Sequence, residues 1–172
     1  MRLKNCSELL KNREDYGTRT DVMCSSTEVT HHLHKVRATE YWCYPKKGRY
    51  DAKLIEKLKR QVSGKVLVPL AECEVWNEVF RGMGANHPNV STGLAAVIIA
   101  LELTHPKTLW IAGFDKLLNP KTEGYTSTVP TAFNAGGSKD TGHDWAKELE
   151  LLKFLSYSFK TEIIDLASNN VV

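Results

Sequence analysis

Between residues 51 and 62 the apolar side chains Leu54, Ile55, Leu58 and Val62 recur at steps of three and four, with Lys and Glu between them. That period predicts an amphipathic helix, opened by Asp51 and closed by Ser63-Gly64. Residues 72–83 repeat it, with Val75, Trp76, Val79 and Phe80 on one face. The pattern then changes. Leu94 to Leu101 is an unbroken apolar run, which predicts a buried helix capped by Ser91, reaching about residue 103 and ended by Pro106. Thr141-Gly142-His143-Asp144 opens a fourth helix, with Leu149, Leu152 and Leu155 packing inward. Shorter apolar and β-branched runs predict strands over 18–25, 37–44, 65–69, 108–112 and 161–166. The run at 108–112 reads as an apolar central strand, and 27–35 as a short helix. Residues 116–141 are rich in Gly, Pro, Thr and Asn. A loop of that length is functional or mobile.

Strand alternating with helix predicts an α/β fold: a Rossmann-like, mostly parallel sheet with helices on both faces. The 172 residues suit a single domain. No apolar run is long enough to span a bilayer, and residues 1–8 turn polar at once. Both point to the cytoplasm. Cys6, Cys24, Cys43 and Cys73 are scattered, without Cys-x-x-Cys or a zinc spacing. They read as reduced, mostly buried thiols, with a disulfide pair the lesser alternative. The formal charge of +3 is too small to argue for nucleic acid. Lys53, Lys57, Lys59 and Arg60 alternate with apolar positions, as on the solvated face of a helix.

Candidate chemistry enters at Ser91-Thr92-Gly93. A helix start offers unpaired N–H donors and partial positive charge. Ser and Thr add hydroxyls, and Gly admits a ligand to the backbone. Read alone, the triplet is an ordinary Ser cap. Gly113, where the next strand ends, brings a second bare backbone to the carboxyl end of the sheet, where open α/β sheets bind ligands. His143 stands near a helix start, and Thr141 and Asp144 are spaced like a capping box. The positive helix end keeps an imidazole there neutral and able to accept a proton. Read alone, His143 is a solvent-exposed first-turn residue. Glu148, five residues on, lies around the helix from it, so it should bond a neighbouring loop or helix start instead. His31, His32 and His34 diverge and lack a further ligand, so no metal site is expected. Tyr41, Trp42 and Tyr44 read as core and rim of a strand.

Three blocks in order resemble the eukaryotic-type sialyltransferases, glycosyltransferase family 29. Arg2-Leu3-Lys4-Asn5 followed by Asp15-Tyr16-Gly17-Thr18-Arg19-Thr20-Asp21 looks like the second half of the family's large motif. Ser91-Thr92-Gly93 through Gly113-Phe114 looks like the small motif, and His143-Asp144-Trp145-Ala146-Lys147-Glu148 like the very small motif. The resemblance implies a sheet of the GT-A-like variant. It also implies a CMP-sugar donor and a glycan acceptor, with inverting transfer that uses neither metal nor cofactor. By the same resemblance Ser91, Thr92, Gly93 and Gly113 bind the donor, Asn5 contacts the nucleotide, and His143 is the general base.

The chain departs from the pattern in three places. The opening strand and Gly-rich turn of the large motif are missing, so the resemblance is to a short or truncated relative. The small-motif Cys position falls in 102–106, which holds no Cys, so the family's linking disulfide is not possible. No His lies between His105 and His143. Tyr125 and Thr126 occupy that region and are taken as substrate-binding. The expected activity is transfer of sialic acid or a related acidic sugar from CMP to a glycan hydroxyl. The alternative is an inactive nucleotide- or glycan-binding module of the same fold. A nucleic-acid accessory role is a weaker third reading, which predicts steep salt dependence.

Overall fold

Three short runs ahead of residue 45 extend and pair side by side. They are β1 (Arg2–Leu3), β2 (Val22–Ser26) and β3 (Glu40–Tyr44), and β4 (Lys65–Leu67) joins them to give the order β1-β2-β3-β4. All three pairings are parallel. The structure is a computed structural model that describes residues 2–3, 20–26, 33, 37–44, 52–68, 70–112, 114, 118, 143–166 and 169–172.

The chain divides into two compact units, Met1–Val75 and Trp76–Val172. In the first, β3 and β4 pair in parallel and so need a crossover, which holds α1 (Ala52–Gln61). Ile55 and Leu58 are buried, whereas Lys53, Lys57, Lys59 and Arg60 are exposed as their spacing predicts. Met23, Leu33, Tyr41, Cys43, Ile55 and Leu58 form one apolar cluster. Tyr41, Trp42, Cys43 and Tyr44 are all buried, so β3 is covered on both faces and the aromatic residues are core rather than rim. The Tyr41 hydroxyl accepts from the Ala38 N–H at 3.1 Å. Gly64 is required where α1 gives way to β4: a Cβ there would sit 2.5 Å from the Ala38 carbonyl oxygen. The strand expected at 65–69 is shorter, and only partly buried.

The boundary between the units falls within α2 (Leu70–Gly82). Among its described side chains the buried ones are Asn77 and Phe80, while Val75 is exposed, so the expected apolar face is displaced toward a polar residue. In the second unit α3 (Thr92–Thr104) is buried from Leu94 to Leu101. It ends at His105, which adopts a left-handed conformation (φ 43°) and donates its N–H to the Leu101 carbonyl. β5 (Thr108–Ile111) pairs in parallel with β6 (Glu162–Asp165). β5 is not the fully buried strand its composition suggested. Thr108 and Trp110 are exposed, so one face is open. α4 (Trp145–Phe159) contacts α3 and buries Glu148, Leu151, Leu152 and Leu155. Leu151 takes the inward place expected of Leu149.

The fold is thus mixed α/β with parallel strands, as expected at that level. The described strands form a four-stranded and a two-stranded sheet rather than one continuous sheet. The short helix at 27–35, apart from Leu33, and the long loop at 116–141, apart from Leu118, lie outside the described residues.

Candidate active site at two helix starts

Ser91 caps α3. Its backbone is extended (φ −64°, ψ 162°), and its Oγ accepts from the Leu94 N–H. Two contacts hold the preceding segment against α2. The Val90 N–H donates to Asn77 Oδ1 at 3.1 Å, and Arg81 Nη1 donates to the Pro88 carbonyl at 3.1 Å. Asn77 is therefore a buried polar residue with a positioning task, which explains its place on the inner face of α2.

α4 starts with Asp144 as its cap, its Oδ1 accepting from the Lys147 N–H at 3.2 Å. Asp144 Oδ2 also accepts from the Asn86 N–H at 3.1 Å, across 58 residues of chain. His143 precedes the cap and so stands outside the helix, not in its first turn. That freedom lets its ring turn back over Glu148, and Nδ1 lies 3.3 Å from Glu148 Oε1. The two side chains therefore come close, but without a hydrogen bond between them.

Glu148 is fully buried. It occupies the first place of the stripe Glu148, Leu151, Leu152, Leu155, where an apolar residue would be usual. A buried carboxylate is costly unless it is hydrogen-bonded. Here Oε1 accepts from the Ser91 N–H at 2.9 Å, and Oε2 accepts from the Ser91 Oγ at 2.6 Å. Glu148 thus joins the start of α3 to His143. Its bond to a neighbouring helix start is the one expected of it, whereas its full burial is not. The signal for its role is the one charge on an otherwise apolar stripe.

This geometry corrects one expectation. Both donors of Ser91 are engaged by Glu148, and Ser91 is 8% exposed. Ser91 therefore serves the site through Glu148 and not by free donors. Thr92 and Gly93 follow it in the first turn, both partly exposed. A Cβ on Gly93 would come within 3.1 Å of the Phe114 ring, so the small-motif glycine admits an aromatic ring of the chain itself. Gly113, Asn5, Tyr125 and Thr126 lie outside the described residues, as do His31, His32 and His34.

His143 is flanked by two rings. The His87 centroid is 5.2 Å away and the Trp145 centroid 4.9 Å. The His143 side chain is 19% exposed, and its Nδ1 is buried and makes no hydrogen bond, the 3.3 Å approach to Glu148 Oε1 being a close contact only. The accessible edge of the ring is therefore turned away from Glu148. Among the described residues no cluster of three His, Cys, Asp or Glu side chains is placed to hold a metal ion. A separate hollow of about 530 Å³ lies in the first unit, lined by Thr20, Asp21, Arg37, Ala38, Thr39, Ser63 and Gly64. These residues precede β2, β3 and β4, so the hollow is at the amino ends of the strands, opposite the end at which parallel sheets bind ligands.

No protein-family model matches the chain, and neither a curated protein nor a solved structure is similar to it. Among the described residues, no helix is long and apolar enough to cross a membrane.

Proposed function

We propose that the chain transfers an acidic sugar, sialic acid or a related one, from a CMP donor to a glycan hydroxyl. The observation that carries this reading is the link from Ser91 through Glu148 to His143. It brings the start of α3 and a candidate base close together.

His143 accepts the acceptor's hydroxyl proton on its outward nitrogen while that oxygen attacks the anomeric carbon. The bond from that carbon to the phosphate oxygen breaks, and CMP leaves with the electron pair. The proton then passes from His143 to solvent. Glu148 stands beside the imidazole on its Nδ1 side at 3.3 Å, near enough to favour a positive charge on the ring as it takes the proton. The Gly93 amide, in the first turn of α3, meets the charge that develops on the departing phosphate in this reading. The second half of the proposal is structural: the parallel strands belong to a Rossmann-like sheet. The buried thiols of Cys24 and Cys43 suit the reducing cytoplasm, where we place the reaction.

The test measures CMP release from CMP-sialic acid, with and without a glycan acceptor, beside calorimetric CMP binding. His143→Ala should lower turnover at least about a hundredfold and keep CMP affinity within about twofold. Equal turnover in the variant would refute the role of His143. The engagement of both Ser91 donors by Glu148 supports the second reading, a binding module without turnover. CMP binding by a wild-type chain that never releases CMP from the donor would select it.

A further inference from the structure

The formal charge of +3 is shared unevenly between the two units. Met1–Val75 carries 15 Lys and Arg against 10 Asp and Glu, whereas Trp76–Val172 carries 8 against 10. The first unit is therefore positive and the second slightly negative. A polyanion meets one face of a protein and not its average, so the charge of the whole chain understates what the first unit offers.

In the described residues the excess gathers on α1. Lys53, Lys57 and Arg60 stand at steps of four and three, on the side of the helix opposite the buried Ile55 and Leu58. All three are exposed. Along the axis they follow one another at about 5 Å. The one acid of the helix, Glu56, is already held by Lys59, whose Nζ lies 2.8 Å from its Oε1. Helix stability does not account for the row. Like charges at these steps repel. Lys53 lies in the first turn, which holds no acidic residue, and the positive helix end disfavours a cation there. A partner of opposite sign relieves both penalties.

We infer that the Lys53, Lys57 and Arg60 face of α1 docks double-stranded nucleic acid through its phosphates, without reading sequence. Regularly spaced phosphates suit a row of cations on a rigid support. A single strand is held largely by stacking on aromatic rings, and α1 carries none. A helix that rests on anionic lipid inserts apolar side chains, whereas α1 turns Ile55 and Leu58 inward and exposes no large apolar residue. This inference stands apart from the transferase reading.

Fluorescence anisotropy of a labelled DNA duplex of mixed sequence, titrated with the full chain, tests it. Three phosphate contacts predict that log K falls against log salt with a slope of about −3, a loss of about fortyfold between about 50 and 200 mM. Lys53→Gln with Lys57→Gln should reduce the slope to about −1, and Lys53→Arg with Lys57→Arg should keep it. Lys107→Gln with Lys153→Gln removes two exposed lysines of the second unit and should leave the wild-type slope. A wild-type slope shallower than about −1, an unchanged slope in the α1 glutamine variant, or an equal fall in both glutamine variants would overturn the inference. So would tighter binding to vesicles of phosphatidylserine and phosphatidylcholine than to the duplex at the same salt.

Discussion

The first unit and the junction between the α3 and α4 starts bury their residues on different terms. In the first unit the interior is apolar: Met23, Leu33, Ile55 and Leu58 join the ring of Tyr41, and Ser25 is the one buried polar residue found there among the described residues. At the junction the interior holds Asn77, Asn89, Ser91 and Glu148. Apolar burial is non-directional and tolerates small shifts. A buried carboxylate tolerates none, because its partners must stay at hydrogen-bond distance. Here those partners are the N–H and the hydroxyl of Ser91.

Removal of Glu148 should break this contrast most severely. Glu148→Ala leaves the Ser91 N–H and hydroxyl buried without their acceptor, and should cost about 4 kcal/mol, measured by urea unfolding. A loss under about 1 kcal/mol would mean that the carboxylate is not buried as described. In the first unit the corresponding weak point is steric. Gly64→Ala drives a Cβ to 2.5 Å from the Ala38 carbonyl oxygen, backbone that does not yield. It should cost about 2 kcal/mol, and Gly93→Ala, pressing at 3.1 Å on the Phe114 ring, about 1 kcal/mol. The reverse order would show that the Phe114 ring is the less yielding neighbour.

The smallest effect concerns Cys43, whose thiol burial pushes up to about 12 from an ordinary 9.0. In the folded chain it stays protonated at pH 8 and should resist alkylation until the chain unfolds, as followed by mass spectrometry at that residue. The pH dependence has a definite sign. The folded state holds the proton more tightly than the unfolded state, so this contribution to stability is complete below pH 9.0 and is lost as pH rises toward 12. Stability that rose through this window would contradict the burial of Cys43.

Periodicity made α1, α3 and the parallel strands legible, because those elements bury apolar residues at the steps that the sequence displays. Ser91 as a cap was legible for the same local reason. The junction was not. The stripe Glu148, Leu151, Leu152, Leu155 reads in sequence as a weaker stripe through Leu149, because a charge is not expected inside. The placement of His143 over Glu148 depends on where the helix begins, and a one-residue change in the cap turns the ring elsewhere. His87 is brought to His143 by a hydrogen bond that spans 58 residues of chain, and no local pattern encodes that.

The central claim is that the start of α3 and His143 form one site for a CMP-sugar. A CMP titration followed by NMR, reading the Gly93 amide and the His143 imidazole together, tests it most directly. The account predicts that both signals move and saturate with a single dissociation constant. A Gly93 amide and a His143 ring that stay unmoved at saturating CMP, or that follow two different constants, would contradict it.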